Sequence, residues 1–574
     1  GVFTGNLLLA HSALNEPSPL SIDMTFTATS GYQPTSPYIL YPERAIDFVQ
    51  NIADFRSKAR DNINGGYYTN INRQGYSTGA NEKALCGQSR IAYTFVRAFM
   101  VTGDEKYLEL AHHALKFLYL HGWNNGWYFV TDSTGKYIDH WGHNDWWSFQ
   151  QHYALIGIAA MVEATGGTID WNDGTESDHT WLMRGVNSNY TKLWDSGTGT
   201  KGYYNYSNRA WTSKRGKGFT PTVDGVTTHG LMMALMYDSL NHKQRFIDLA
   251  DNIVDHLIAN MSVAAAGFPE NFDANWNIDN SSTSMDIGHG FKTAWVLQRA
   301  YLRNPDHPQY LTSAQLLMQN LWDNGCYDTV NGAPYSYLNW KTGEVTSTNK
   351  DFWMTEQGFT SGIMSYYTAT TQQQRDMYLR VADGSLNFFM NRIIDPVYGE
   401  AYNVVNRDGS SVVDANKGGL FTAGYHSSEL GYYAYLYSSL YYHKSPVQLY
   451  YYYPEANTER TFKLTPVAIE DSVLKITSVT LDGVSYTDFN SDSRTLHLAP
   501  GVGGKFKVTF GFTPAQTFTI SATAGNGGAI SPSGTVNVGE NSSQLFIITP
   551  VGGYKVSDVL VDGVSVGADT SYTF

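Results

Sequence analysis

One local pattern limits the possible folds of this chain more than any other: a glycine beside aromatic residues, a short extended stretch and a polar turn. It begins at Asn64 (NGGYYTNINRQG), Asn125 (NGWYFVTDSTGKYID), Lys201 (KGYYNYSNRAW), Ala266 (AGFPENFDANWN), Asn324 (NGCYDTVNGAPYSYLNWKTGEV) and Tyr398 (YGEAYNVVNRDGS). Each copy reads as a hairpin. The copies recur at intervals of about 60 to 75 residues, and helical patterns such as SRIAYTFVRAFMVTG, KYLELAHHALKFLYLHG and RFIDLADNIVDHLIANM fill the gaps. A helix pair of this kind buries its apolar face only against its neighbours, so a closed ring of such units is the natural solution. The expected fold is therefore an α/α toroid, an (α/α)6 barrel, over residues 41–445.

The first 40 residues carry Pro and Thr without a period, and an extended N-terminal arm packed on the barrel is expected for 1–40. After HSSELGYYAYLYSSLYYHKSP the pattern changes to strand-like alternation, as in VLKITSVTLDGVSYTDF, with turn signals at Asp482-Gly483 and 501–504. This predicts a β-sandwich-like module at 446–514 and a second small β module at 515–574. A chain of 574 residues divided in this way is multidomain, with a barrel followed by two small all-β modules.

Composition narrows the partners. The formal net charge is −14, which removes the broad basic field that a nucleic-acid backbone requires. Aromatics reach 14% with 41 Tyr and 14 Trp, while charged residues are 16%, a balance that suits mono-, oligo- or polysaccharide ligands. Cys86 and Cys326 are too few for a disulfide framework or a thiolate metal site. No apolar run approaches the roughly 20 residues of a membrane helix. The Gly/Ser/Thr/Asn-rich C-terminal quarter reads as that of an exported protein, secreted or associated with a cell surface or extracellular matrix through its β modules.

Four polar positions stand at helix starts beside the hairpins. Arg90 lies in the otherwise apolar GQSRIAYTF, where a guanidinium can fix an oxyanion or tie off a buried carboxylate. His229 in DGVTTHGLMMAL, His289 in SMDIGHGFKTAWVL and His426 in FTAGYHSSELGYY each open a helix. Two opposed imidazoles can take a proton from one face of a substrate and return it on another, and an arginine can hold the oxyanion formed meanwhile. The histidines have no HxH, HxxxH or HExxH spacing, so no metal or other cofactor is expected. Tyr67, Trp127, Trp141, Trp146, Trp147, Trp276, Trp340 and Trp353 offer ring faces for a pyranose or for barrel packing. The run GHNDWW singles out Trp146 and Trp147, one of which is expected at the cleft.

These motifs, in this order, resemble the N-acylglucosamine 2-epimerase and cellobiose 2-epimerase superfamily over roughly Tyr41 to His443. QSRIAYTF is similar to the family's QARxxWTF, TTHGLMMAL to NTHxHLLEA, IGHGFKTAWVL to GHxIEAxWLL, DFWMTEQGF to WWxQAEA and GYHSSELGYY to a closing YHxxRM segment. The resemblance implies an acid/base pair of His289 and His426, with Arg90 steadying an enediolate, His229 binding substrate oxygens and Trp353 stacking on the sugar. The family glutamate of GHxxE is Lys292 here, and that of QAE aligns with Gln357 while Glu356 is displaced by one position. A lysine there is expected to lower the pKa of His289 and to attract a carboxylate such as that of a uronic acid. The C-terminal segment resembles a divergent B-repeat of bacterial surface proteins; such repeats normally carry one more strand after SYTF, so the chain is expected either to continue or to have been cut there.

The leading expectation is a sugar 2-epimerase or aldose-ketose isomerase. A polysaccharide lyase or a glycoside hydrolase on the same barrel is the alternative, the hydrolase with Asp139, Asp145, Asp224 or Glu356 as carboxyls. A glycan-binding or structural surface protein without activity is the third.

Overall fold

The computed structural model describes residues 3–9, 20–26, 31–79, 82–138, 145–170, 174–237, 240–464, 466, 469, 474–512, 517–539, 544–561 and 564–573. It divides into a unit spanning Tyr32–Gly511 and a smaller one made of Gly1–Gly31 with Phe512–Phe574.

The larger unit is built on helices that alternate outside and inside along the chain: α1 (Arg44–Ser57) and α2 (Leu85–Thr102), α3 (Lys106–His121) and α4 (Ser148–Thr165), α5 (Asp178–Ser188) and α6 (Leu231–Met236). The series continues with α7 (Leu240–Asn252) and α8 (Ile287–Arg303), α9 (Pro308–Asp323) and α10 (Phe352–Thr368), and α11 (Gln372–Phe388) and α12 (Tyr425–Tyr437). The even-numbered helices line the inside, and each packs as a pair on the outer helix that follows it, α2 on α3, α4 on α5, α6 on α7, α8 on α9 and α10 on α11, with α12 returning to α1. α2 packs on α4 and α12, α10 on α8 and α12, and the wide turns at 220–230, which precede α6, bridge α4 and α8. The ring therefore closes as the repeat pattern predicts, as an (α/α)6 toroid. Inner helices α4 and α12 are buried nearly all round, so they lack a polar stripe; outer helices such as α1 and α9 bury one face.

The hairpins share a device that periodicity does not reveal. Asp61 pairs with Lys83, Asp195 with Lys217, Asp328 with Lys350 and Asp395 with Lys417, at N–O distances of 2.7, 2.8, 3.5 and 2.7 Å. The spacing is 22 residues in each case. Each lysine stands directly before an inner helix or the turns leading to one, with its side chain fully buried. Each aspartate caps its own turn: Asp61 accepts from the N–H groups of Ile63 and Asn64, Asp328 from Val330 and Asn331, Asp395 from Val397 and Tyr398. The ammonium groups also donate to hairpin carbonyls, including Gly65 O, Ala333 O and Gly399 O. Neighbouring hairpins are latched together as well. Arg73 of the first holds Asp395 of the last at 2.6 Å, and Arg407 of the last holds Asp328 at 3.0 Å. The indole N–H of Trp211 donates to Asn125 O and that of Trp276 to Lys201 O.

Within this unit a two-sheet β module follows α12. Val447–Tyr453 pairs with Gly504–Phe512, then come Leu474–Leu481 and Val484–Tyr486; Arg460–Lys463, Thr495–Leu498 and Phe489–Asn490 form the second sheet. The module docks on the C-terminal ends of α2 and α4. Gly103, at φ +72°, has no room for a side chain against Tyr450, and Gly166, at φ +73°, none against Phe462 and Tyr453. At the other terminus of the unit, Asp383 of α11 accepts from Tyr32 OH, Thr35 N and Ser36 N at 2.7–2.9 Å, fixing the entry of the chain.

In the smaller unit Phe3–Leu9 pairs antiparallel with Leu20–Phe26 within the segment expected as an arm. Thr517–Ala522 pairs with Gly534–Gly539, and Gly528–Ser531, Leu545–Pro550 and Ser571–Thr573 make a three-stranded sheet. No helix among the described residues is long and apolar enough to cross a membrane.

The clasps carry a stability expectation. Lys83→Met leaves Asp61 buried without its cation and should lower unfolding free energy by about 3–5 kcal/mol. Arg73→Met removes a half-exposed, solvent-screened partner and should cost far less. Urea denaturation followed by tryptophan fluorescence checks both; equal losses would show that burial of the lysine is not what matters.

Candidate active site

Short strands deliver the inner helices to one end of the toroid. Ser284–Asp286 leads into α8, Lys350–Asp351 into α10, Glu82–Ala84 into α2 and Asp145–Trp147 into α4. Residues in the first turns therefore converge. The resulting cleft, of about 330 Å³, is lined by Arg90, Tyr153, His289, Lys292, Trp353 and His426, with Asp224, Phe149 and Phe421 among their neighbours. Two glycines permit this convergence. A Cβ on Gly288 would stand 2.6 Å from Met354 Cγ and 2.8 Å from Trp353, and Gly424, just before Tyr425-His426, adopts φ +79° against Arg56.

The two histidines flank Trp353, whose ring centre lies 5.1 Å from that of His289 and 5.9 Å from that of His426. Each directs Nδ1 to a carboxyl group and so leaves Nε2 for a ligand. His289 Nδ1 is 2.7 Å from Glu270, and its ring stacks on Phe219 at 3.7 Å. Burial pulls this imidazole down, but the Glu270 carboxylate, with Asp286 and Asp224 beyond it, holds its pKa above the ordinary value. His426 Nδ1 is 3.1 Å from Glu356. Here burial and the charges of Arg90 and Lys292 keep the pKa well below the ordinary value. Burial and the neighbouring Glu429 push Glu356 the other way, well above the carboxylate range, so in this pair the proton rests on the carboxyl.

Arg90 is 3% exposed and lies 4.0 Å over the Tyr153 ring, with Nη1 donating to Phe421 O at 2.5 Å. It forms no ion pair among the described residues, and its buried Nε has no partner. The structure thus departs from a buried arginine tied to a carboxylate. Lys292, by contrast, is bound to Asp224 at 2.6 Å and Tyr153 OH at 3.1 Å. Burial opposes its charge, but Asp224 and Tyr153 hold its pKa above the ordinary value. The expected lowering of His289 by Lys292 is corrected accordingly: the anions around His289 prevail, and the field of the lysine acts on His426.

Several expected ligands stand elsewhere. His229 is buried and stacks on His152 at 5.3 Å, with Nδ1 at 3.0 Å from Thr228 Oγ1, because the wide turns at 220–230 rotate it away from the cleft. Tyr67 is core: its OH donates to Leu110 O, and its ring packs on Phe95 and His113. Trp146 is buried beside Trp211 and under Arg209. Trp147 reaches the rim, stacked on Phe149 at 4.7 Å. Gln357 is buried, accepts from Trp295 Nε1 at 2.6 Å and donates to Glu356, so both side chains stand behind His426. Trp141 and Asp139 lie outside the described residues. Asp145 pairs with Arg215 at 2.6 Å.

Sequence reasoning missed Glu270, Tyr153 and Glu429. Glu270 sits in the fourth hairpin copy, AGFPENFDANWN, and supplies His289 with the carboxylate that the Lys292 position no longer provides. Glu429 occupies the place of the arginine in the closing motif, so the departures at 292 and 429 reverse charge in opposite senses. In two clusters, Glu270/Asp286/His289 and Glu356/His426/Glu429, one oxygen or ring nitrogen of each residue lies within 4.8 Å of the others. Lys292 and the Gln357 amide beside the second do not favour a cation there.

The family description N-acylglucosamine 2-epimerase (GlcNAc 2-epimerase) matches residues 66–428. A cellobiose 2-epimerase of Eubacterium cellulosolvens is 22% identical over 390 residues, 63% of this chain and 90% of that protein. The structure of cellobiose 2-epimerase from Spirochaeta thermophila superposes with a TM-score of 0.59 at 17% identity, over 70% of this chain and 98% of that one. A D-mannose isomerase gives 0.60 at 18%, over 70% and 99%. The family match embraces more than half of the residues, including the helix starts that carry His289, Trp353 and His426, and the chain belongs to the N-acylglucosamine 2-epimerase family.

Proposed function

We propose that this chain interconverts sugars at carbon 2 by proton transfer between His289 and His426. The reading rests above all on one observation: two imidazoles flank a single tryptophan in one cleft, each backed by a carboxyl group, beside an arginine without an ion-pair partner. Once the ring has opened, the proton on carbon 2 is acidic because the adjacent carbonyl spreads the charge left behind. One Nε2 takes that proton. The electrons move into an enediolate, whose oxygen Arg90 is placed to stabilise. The other imidazole returns a proton to the opposite face of carbon 2, giving the epimer, or to carbon 1, giving the ketose. Proton and charge balance within substrate and histidines.

The environments assign the starting roles. Glu270 favours protonated His289, the donor, and His426 is the neutral ring. Trp353, between them, supplies the face on which a pyranose stacks. Because Lys292 is neutralised by Asp224, the cleft suits a neutral aldose better than a uronic acid. The names of the relatives point to cellobiose-like disaccharides and mannose as first substrates. The composition of the C-terminal β region supports an exported or surface-associated setting.

NMR of cellobiose, glucose and mannose in heavy water tests the reading. Deuterium should enter carbon 2, or carbon 1 of a ketose, and His289→Asn and His426→Asn should each slow this by about 10²–10⁴-fold. No exchange with any of these sugars would overturn the proposal. Release of unsaturated uronate or of new reducing ends from polymers would replace it by a lyase or a hydrolase.

The raised pKa of His289 gives a second expectation. As pH rises through it the donor form is lost, so kcat/KM should fall on the alkaline side. Glu270→Gln removes the supporting anion and should move that limb to lower pH by about one unit or more. An unmoved limb would show that His289 is not the group it reports.

A further inference from the structure

We propose that Glu429 is a positioning residue for His426: packed against Glu356, it makes the two buried carboxyl groups share one proton, and that proton selects which ring nitrogen of His426 can accept from substrate. The inference rests on the proton-transfer reading and deepens it.

The cluster is tight and buried. An oxygen of Glu356, an oxygen of Glu429 and a ring nitrogen of His426 lie within 4.8 Å of one another. The three residues are 0%, 3% and 7% exposed. Two ionised carboxylates at this separation out of water repel strongly, so one keeps its proton. Their surroundings decide which. Burial raises the pKa of Glu429 as well, but its Oε1 accepts from Tyr93 OH at 3.3 Å and Tyr425 OH at 3.1 Å, and Lys292 favours its charged form. Its other oxygen is buried without a protein partner, beside a space of about 30 Å³ bounded by Tyr93, Thr228 and Tyr433. Glu356 accepts from Thr360 Oγ1 at 2.9 Å and from the Gln357 amide, and its Oε2 faces His426 Nδ1 at 3.1 Å. Glu429 is the anion and Glu356 the acid.

A protonated Glu356 donates to Nδ1, so His426 carries its hydrogen on Nε2 and cannot accept a proton from the cleft. When the pair loses one proton to solvent, the Nε2 hydrogen leaves, the carboxyl hydrogen moves to Nδ1, and Nε2 becomes a bare acceptor beside an ionised Glu356. Glu429 therefore sets the pH at which the base appears. The charged and titratable groups facing the cluster are Arg90 and Tyr93 from α2, Tyr153 from α4 and Lys292, with its partner Asp224, and His289 from α8. Asp286, Asp351 at the start of α10, and Tyr425 and Tyr433 on α12 stand there as well, and Arg97 of α2, Glu163 of α4 and Arg299 of α8 border the small space beside Glu429. None of these changes when Glu429 alone is replaced.

The test reads the tautomer of His426 by ¹⁵N NMR in the full chain labelled at histidine, the signal being assigned through His426→Asn. In the unsubstituted protein the Nε2–H form should give way to Nδ1–H as pH rises, at a midpoint below the alkaline limb of kcat/KM that reports His289. Glu429→Gln should move this midpoint to lower pH by about one unit or more, Glu429→Asp should leave it nearly in place, and Glu356→Gln should abolish the switch. Where Glu429→Gln does not fold, Tyr93→Phe weakens the anionic form of Glu429 and should shift the midpoint the same way by less. An unmoved midpoint in folded protein overturns the proposal. So does a chelator-removable divalent cation whose loss alone reproduces the shift. Because no sugar is needed, a shifted midpoint without exchange at carbon 2 would sustain the positioning role and reject the epimerase reading.

Discussion

Removing an ammonium group and a carboxylate from water is unfavourable unless they meet each other and every remaining donor and acceptor is satisfied. This constraint governs the toroid, because the Asp61/Lys83, Asp195/Lys217, Asp328/Lys350 and Asp395/Lys417 pairs satisfy it in place. The aspartate ends its hairpin turn, the lysine ties that turn to the segment leading into an inner helix, and the backbone carbonyls take the remaining ammonium protons. A helix start held in this way delivers its first turn to the cleft in a single rotation. The direction of Trp353, two residues after Asp351 and three after Lys350, follows from that anchoring.

The same physics is applied with opposite sign inside the cleft. Around His289 the groups are anionic and favour a charged ring; around His426 the cations Arg90 and Lys292 disfavour it, and the adjoining carboxyl keeps the proton. A reaction that moves a proton from one face of a carbon to another needs two groups of unequal proton affinity at the outset, and the surroundings provide them without any difference in residue type.

Much of this was legible in the sequence. The ring of helix pairs followed from six hairpins and the faces between them, His289, His426, Arg90 and Lys292 from their positions at helix starts, and Trp353 from its place among the hairpin aromatics and the likeness of DFWMTEQGF to a family motif. His229 had the same local signature and still turned inward, because the wide backbone turns of 220–230 are set by tertiary packing and leave no periodic trace. Glu270 was hidden for another reason: its contact with His289 spans a hairpin, and a single carboxylate in a polar turn carries no pattern. Tyr67 and Trp146 show the limit of residue type, since an aromatic ring serves a core as readily as a sugar. The 22-residue Asp–Lys interval stands in the sequence, yet each pair taken alone is two ordinary charges.

Gly103 and Gly166 end α2 and α4, helices of 18 residues each, whose opposite ends bear Arg90 and Phe149. At 1.5 Å per residue the surface where Tyr450 and Phe462 rest lies about 27 Å from the mouth that admits a ligand. The β module thus stands at the end of the toroid opposite that mouth. A ligand that enters or leaves past the hairpins therefore does not meet it.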